Sequence, residues 1–132
     1  MSVAHGKFQR GFAGIGLVAS KTEANVGGAL RAALCYQASM VVLQAPRYDH
    51  CPTNTMRTER HVPMFVGDIL DHRPYGCELV VVELIDGAIS LPAFQHPQRA
   101  LYVFGPEDGN VPKRLVDAAQ HVVQVPTRMC MN

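Results

Sequence analysis

The sequence predicts an α/β domain built on a mostly parallel sheet with flanking helices. Short unbroken apolar runs are typical of strands buried in such a sheet, and segments with helical spacing alternate with them. The chain has 132 residues, of which 48% are hydrophobic, so it has the length of one domain and can bury a core. We therefore expect residues 1–132 to form a single domain.

The first half of the chain contains two predicted strands around one predicted helix. Residues 12–19 form an apolar run that is typical of a buried strand. From Asn25 onwards the apolar residues recur at three- and four-residue steps, which predicts a helix with Asn25 as its N-cap. Residues 40–43 predict the next strand, and residues 45–60 predict a surface loop with at most one helical turn.

Shorter elements alternate in the second half. We expect a short strand over residues 61–66, interrupted by Pro63, and a short helix over residues 68–72. The later predicted elements are strands over residues 79–82 and 100–104, a helix over 111–120 and a last strand over 121–125. Because α/β sheets bind ligands beyond the carboxyl ends of their strands, the segments that follow strands are the candidate functional segments.

The composition excludes several classes of protein. The net charge of +1 does not indicate a strongly basic chain, although residues 1–60 hold seven Lys and Arg against three Asp and Glu, which allows a basic face. No apolar run spans a bilayer and no secretory signal is evident, so we expect a soluble cytoplasmic protein. The four scattered cysteines suit reduced thiols, and no closely spaced ligands predict a metal site.

Three of the segments that follow strands could carry chemistry. Residues 25–31 form a glycine-containing helix start whose N–H groups could receive an anion. Residues 104–112 contain two glycines and two prolines in a loop that can approach a ligand closely. The apolar members of residues 125–132 could line a pocket for a flat heterocycle. Each segment alone is also compatible with an ordinary turn, cap or chain end.

Together these segments resemble, in order and spacing, the three signature motifs of the SPOUT methyltransferases, specifically the SpoU (TrmH-like) RNA 2′-O-methyltransferase branch. Asn25 and Arg31 match its first motif, an asparagine followed six residues later by an arginine. Residues 104–107 read Phe-Gly-Pro-Glu like the second motif, and residues 109–112 nearly match its Gly-hydrophobic-Pro continuation, with Asn110 inserted.

The third motif of that branch has Ile-Pro, a short loop and then Ser-Leu-Asn or Ser-Met-Asn. Val125 and Pro126 echo its start, and residues 130–132 read Cys-Met-Asn, with cysteine in place of serine. Family members continue past this asparagine into a helix that completes a trefoil knot and packs at the dimer interface. We therefore expect the knot helix to be missing or incomplete in a chain that stops at Asn132, and such a chain to be a poor enzyme and an unstable dimer.

The resemblance implies an α/β-knot homodimer that transfers a methyl group from S-adenosylmethionine to a ribose 2′-hydroxyl, with tRNA the first substrate to expect and rRNA the second. Arg31 is the expected catalytic residue, by clamping a phosphate or stabilising alkoxide charge, because a guanidinium is a poor base. Glu107 would orient Arg31 or accept the proton. The supporting catalytic residues are Asn25, Glu107 and Asn132.

The resemblance also implies the remaining site residues, and no metal is expected. The donor contacts implied by the resemblance are Leu84, Gly105, Val125, Thr127, Cys130 and Met131. The basic residues expected to contact RNA phosphates are Arg47, Arg57, Arg60, Lys113 and Arg114.

Three other interpretations stay open. One is a SPOUT-like RNA-binding protein without catalysis, and another is a methyltransferase of the same superfamily that modifies a base. The third, a dinucleotide-binding Rossmann module, is suggested by Gly14-Ile15-Gly16. It is disfavoured because these glycines lie inside a predicted strand and the third glycine of the fingerprint is lacking.

Overall fold

Residues 11–47 and 57–126 are described by the computed structural model, and within them seven strands form one sheet. The strands in chain order are β1 (Phe12–Val18), β2 (Met40–Gln44), β3 (Met64–Val66), β4 (Glu78–Val82), β5 (Ile89–Ser90), β6 (Arg99–Phe104) and β7 (His121–Gln124). The helices are α1 (Glu23–Cys35), α2 (Ile69–His72) and α3 (Lys113–Ala118), with 3-10 turns at Thr58–Arg60 and Leu91–Ala93.

The strand order is β3-β2-β1-β6-β4-β7-β5, and every neighbouring pair runs parallel. This confirms the predicted α/β class with a mostly parallel sheet. Because β1, β6, β4 and β7 are neighbours, the segments that follow them leave the same edge of the sheet side by side. This edge is where the predicted functional segments begin.

Apolar side chains cover the sheet on both faces, which explains why the strands read as unbroken apolar runs. On one face α1 packs on β2 through residues such as Leu30 and Val41. On the other face α2 and α3 contribute Ile69 and Leu115, both fully buried, to the largest apolar cluster. In the helices of residues 11–47 and 57–126 we find none long and apolar enough to cross a membrane.

The glycines of β1 lie against side chains of the core. A methyl group at Gly14 would lie 2.8 Å from Met40 Cγ and 2.9 Å from Leu101 Cδ1, and one at Gly16 would lie 2.8 Å from Ile69 Cδ1. Both glycines lie inside the strand, as the sequence predicted. Their positions therefore give no support to a dinucleotide-binding turn.

Most predicted elements are present, although β3 and α3 are shorter than predicted. The N-cap of α1 is Thr22, so the prediction that Asn25 caps the helix is wrong, and Asn25 lies in its first turn. Asp68 caps α2 with its carboxylate, which accepts a hydrogen bond of 2.8 Å from the Leu70 N–H. The strand β5 was not predicted, because two residues carry no periodic signal. Residues 127–132 lie outside the described residues, so the prediction that the knot helix is missing or incomplete stays a prediction.

Candidate functional site

Glu107 joins the loop after β6 to the start of α1. Its carboxylate accepts hydrogen bonds from the backbone N–H groups of Thr22, at 2.7 Å, and Lys21, at 3.3 Å. These N–H groups lie at the positive end of the helix dipole, where a carboxylate is stabilising. The contact joins the second predicted segment to the N-cap of α1, the helix that contains the first predicted segment.

The same donors keep Glu107 ionised. Desolvation is the largest single influence and by itself would raise the pKa, but the hydrogen bonds outweigh it. The backbone N–H groups of Thr22, Lys21 and Glu107 itself, with the Thr22 side chain, lower the pKa of Glu107 from 4.5 to about 2. Glu107 is therefore a weak proton acceptor at neutral pH, and its first role in this fold is to hold two loops together.

We expect the Glu107 contact to make stability depend on pH. A carboxylate whose pKa is lowered by folding stabilises the protein above its unfolded pKa of 4.5, and that contribution is lost as the pH falls towards about 2. The difference in free energy of unfolding between wild type and Glu107→Gln should be largest above about pH 5 and should shrink towards pH 2. Urea denaturation at several pH values measures it, and a difference that does not change with pH would contradict the charge-dependent contact.

Arg47 fastens the loops after β1, β2 and β6 to one another. Its Nε donates to the Ala19 carbonyl at 2.8 Å, and its two terminal nitrogens donate to the Asp108 carboxylate at 2.6 and 3.2 Å. The Arg47 hydrogen bond also lowers the pKa of Asp108. Arg47 was expected to contact an RNA phosphate. A phosphate would have to compete with the Asp108 carboxylate, because the guanidinium already binds that carboxylate with two hydrogen bonds.

Arg31 lies exposed on α1 above a strip of small residues. Ala24, Gly27 and Gly28 are seven, four and three positions before it, and together with Arg31 they line a surface hollow. Asn25 lies six positions before Arg31 and so projects about 120° away around the helix. The two residues of the first motif therefore do not share a helix face.

Arg31 and Glu107 are also separated. The carboxylate binds at Thr22, and nine residues of helix, or about 13 Å, lie between that point and Arg31. In the described part of the chain the carboxylate oxygens of Glu107 contact the α1 start rather than Arg31. The expectation that Glu107 orients Arg31 directly is therefore not met by this geometry.

Exposed apolar side chains lie at the carboxyl ends of the neighbouring strands β4, β6 and β7. Leu84 is 64% exposed, Val125 is 42% exposed and Phe104 is 39% exposed. Gly105 follows Phe104, and a methyl group there would lie 2.9 Å from the Val111 backbone nitrogen. The structure thus places the predicted donor contacts Leu84, Gly105 and Val125 at one edge. The other predicted residues, Thr127, Cys130, Met131 and Asn132, lie outside the described residues.

Sequence reasoning missed Glu83 at this edge. Its carboxylate accepts hydrogen bonds from the Val111 N–H at 2.7 Å and the Leu84 N–H at 3.3 Å. In the sequence Glu83 is visible only as an acidic residue directly after a predicted buried strand. Hydrophobic periodicity does not indicate which group such a residue would bind.

The predicted RNA-contacting cations differ in their surroundings. Arg57 and Arg60 are exposed at the 3-10 turn that packs against α1. Lys113 instead binds Asp117 one helical turn away at 2.7 Å, and Arg114 binds Asp68. Within the described residues there is no group of three or more His, Cys, Asp or Glu side chains that could hold a metal ion.

Comparison with known proteins gives a family and a set of related folds. The family model described as the SpoU rRNA Methylase family matches residues 14–132. A search of curated proteins finds no match to this chain.

Solved structures share the fold at low sequence identity. An AdoMet-bound rRNA methyltransferase from Sinorhizobium meliloti has a TM-score of 0.80 and 20% identity over 94% of this chain and 52% of its own. A second structure, described as giving insights into the 2-OH methylation of C/U34 on tRNA, has a TM-score of 0.76 and 18% identity. The match covers 92% of this chain and 84% of that chain.

The TrmH/SpoU tRNA modifying enzyme of A. aeolicus has a TM-score of 0.77 and 15% identity. The match covers 95% of this chain and 67% of that enzyme. The chain spans about half the length of the Sinorhizobium enzyme. At these low sequence identities, the structural similarity establishes only the fold of the described sheet and helices.

Proposed function

The chain belongs to the SpoU rRNA methylase family, and from that premise we propose that it transfers a methyl group from S-adenosylmethionine to a ribose 2′-hydroxyl of RNA. The observation that carries the proposal is the hydrogen bonding of the Glu107 carboxylate to the backbone N–H groups of Lys21 and Thr22, which joins the second motif segment to the start of the helix that contains the first. An ordinary strand-to-helix turn in the second segment would not require this long-range contact.

The residues at this edge fit the proposed methyl donor. Leu84 and Val125 offer exposed apolar surface suited to a flat adenine ring, and Gly105 keeps the loop backbone close to its neighbours. When bound, S-adenosylmethionine supplies an electrophilic methyl group on a sulfonium. We propose Leu84, Gly105, Val125, Thr127, Cys130 and Met131 as its contacts.

Arg31 is the proposed catalytic residue, with Asn25 and Asn132 in support. Its guanidinium extends from α1 over a hollow lined by Ala24, Gly27 and Gly28, where small side chains leave room for a sugar or phosphate. A fixed positive charge there can bind a phosphate and stabilise negative charge developing on the 2′-oxygen. Because Glu107 is held by N–H groups of the α1 start, it supports Arg31 indirectly, by fixing the helix that carries it.

The proposed substrate is tRNA, with rRNA second, and the proposed active form is a cytoplasmic homodimer with a single methyltransferase domain in each copy. The tRNA proposal is supported by the TrmH/SpoU tRNA modifying enzyme among the structural relatives. The free thiols Cys35 and Cys77 suit a reducing compartment.

RNA binding should weaken steeply with salt, because contacts with phosphates release counterions. Arg57 and Arg60 are exposed beside α1, so replacing both with alanine should reduce the slope of log K against log salt by about 1–2. Filter binding or fluorescence anisotropy over a salt series measures the slope.

The matched control is the pair Lys113→Ala and Arg114→Ala, which also removes two positive charges. Because these two cations already bind Asp117 and Asp68, the control should change the salt slope less. Equal slopes in the wild type and the Arg57/Arg60 variant would show that these arginines do not contact phosphates.

The test of the proposed function combines donor binding with product analysis. Calorimetry measures the affinity of the full chain for S-adenosylmethionine, and mass analysis of nucleosides from treated tRNA and rRNA locates the methyl group. Methyl on ribose supports the proposal, and methyl on a base would replace it with base methylation. Absence of donor binding would favour a family member that binds RNA without catalysis.

A further inference from the structure

Glu83, at the carboxyl end of β4, connects two backbone segments that the proposed donor site uses. One carboxylate oxygen accepts the Val111 N–H at 2.7 Å, and the other accepts the Leu84 N–H at 3.3 Å. Its own N–H donates to the Val123 carbonyl of β7 at 2.9 Å. A single residue therefore ties together the ends of β4 and β7 and the loop that follows β6.

We propose that Glu83 is a positioning residue for the methyl donor, an inference that rests on the proposed function. Through Leu84 it fixes one expected donor contact, and through Val111 it fixes the loop that contains another. Val111 is buried, and an unpaired N–H at a buried position is unfavourable. The Glu83 carboxylate accepts this N–H, and so it stabilises the position at which the chain re-enters the core after the loop 105–110.

The position of Val111 in turn sets the position of Gly105. A methyl group at Gly105 would lie 2.9 Å from the Val111 nitrogen and 3.1 Å from the Asn110 carbonyl carbon, so the two stretches of backbone are in close contact. A shift of Val111 would move the loop against Gly105. Because the same carboxylate binds Leu84 directly and the neighbour of Gly105, Val111, losing it should loosen both sides of the donor site together.

Both oxygens of Glu83 accept N–H groups in this arrangement, which distinguishes a positioning role from that of a general base. A positioning role needs a hydrogen-bond acceptor at the end of a side chain of the right length, but it does not need a negative charge. The substitution Glu83→Gln keeps an amide oxygen for Val111, Glu83→Asp shortens the side chain, and Glu83→Ala removes the acceptor.

The experiment measures the dissociation constant for S-adenosylmethionine by calorimetry on the full chain and its three Glu83 variants. We expect Glu83→Ala to weaken donor binding by about tenfold or more, Glu83→Asp to weaken it by less, and Glu83→Gln to stay within about threefold. If the alanine variant does not fold, Glu83→Asp still tests the length requirement.

The matched control is Glu78→Ala, at the other end of the same strand. Glu78 also makes a side-chain hydrogen bond, to His121 Nε2 at 2.7 Å, but it lies at the opposite edge of the sheet. Its removal should affect stability without affecting donor affinity. Equal loss of donor affinity in Glu78→Ala and Glu83→Ala would show that both act only through stability, and would overturn the inference.

Amide hydrogen exchange at Val111 gives a readout that does not depend on methyl transfer. Exchange should be faster in Glu83→Ala than in wild type and unchanged in Glu78→Ala. Faster exchange together with unchanged donor affinity would overturn the positioning role while leaving the proposed function intact. Failure of the wild-type chain to bind S-adenosylmethionine would overturn the proposed function and this inference with it.

Discussion

Replacing Arg31 with alanine should lower the rate of methyl transfer by about 10²–10³-fold, which is the size of effect expected when a charge-stabilising group is lost from an active site. The side chain is exposed, and within residues 11–47 and 57–126 no carboxylate forms an ion pair with it. Stability should therefore change by no more than about 0.5 kcal/mol. Single-turnover kinetics with labelled donor measures the rate.

Donor affinity separates a catalytic role of Arg31 from a structural one. Because Arg31 projects from α1 and the proposed donor contacts follow β4, β6 and β7, calorimetry should give nearly the wild-type affinity for the variant. A parallel loss of donor affinity would place Arg31 in the cofactor site instead. The variant Arg31→Lys keeps the charge but loses the planar fork, so a partial loss of rate would indicate bidentate contact with phosphate.

Gly28→Ala tests the hollow beneath Arg31 without removing any charge. Apart from its chain neighbours and the adjacent helix backbone, a methyl group at Gly28 would meet no atom within 4 Å, and alanine is favoured over glycine inside a helix by about 0.5–1 kcal/mol. The variant should therefore be slightly more stable than wild type. If RNA occupies the hollow, as we propose, methyl transfer should fall in spite of that gain.

The strands could be predicted because the apolar pattern that identifies each one lies within the strand itself. Leu79, Val80 and Val81 are all fully buried, since both faces of the sheet are covered, and burial on both faces leaves an unbroken apolar run in the sequence. Asp68 was likewise predictable as the start of a short helix, because the residue that caps the helix lies beside it in the chain. In contrast, the two residues of β5 leave no pattern that differs from a loop.

The contacts of the candidate site depend on distant partners, and that part was not predictable. The N–H of Thr22, the N-cap of α1, binds Glu107, which lies 85 residues later in the chain, and the local preference for Asn25 as a cap gave no sign of this contact. Glu83 likewise finds its partner 28 residues away in a backbone N–H, a group that every residue except proline carries. The family resemblance indicated which segments meet, but only the fold shows which atoms join them.

Replacing Gly105 with alanine should have the largest effect on the donor side of the site. The added methyl group would lie 2.9 Å from the Val111 nitrogen and 3.1 Å from the Asn110 carbonyl carbon, and backbone atoms cannot move aside as a flexible side chain can. Overpacking of this kind costs about 1–3 kcal/mol. The displacement would also disturb the hydrogen bond from Val111 to Glu83, so we expect donor affinity to fall by about tenfold or more.

Gly109 provides a matched control four residues further along the same loop. A methyl group there would meet only Pro106 Cγ, at 3.4 Å, which is an ordinary contact. Gly109→Ala should therefore keep the wild-type donor affinity and melting temperature, whereas Gly105→Ala should lower both. If both variants bind S-adenosylmethionine as tightly as wild type, the loop 105–110 does not contribute to the donor site, and the assignment of the second motif segment to donor binding is wrong.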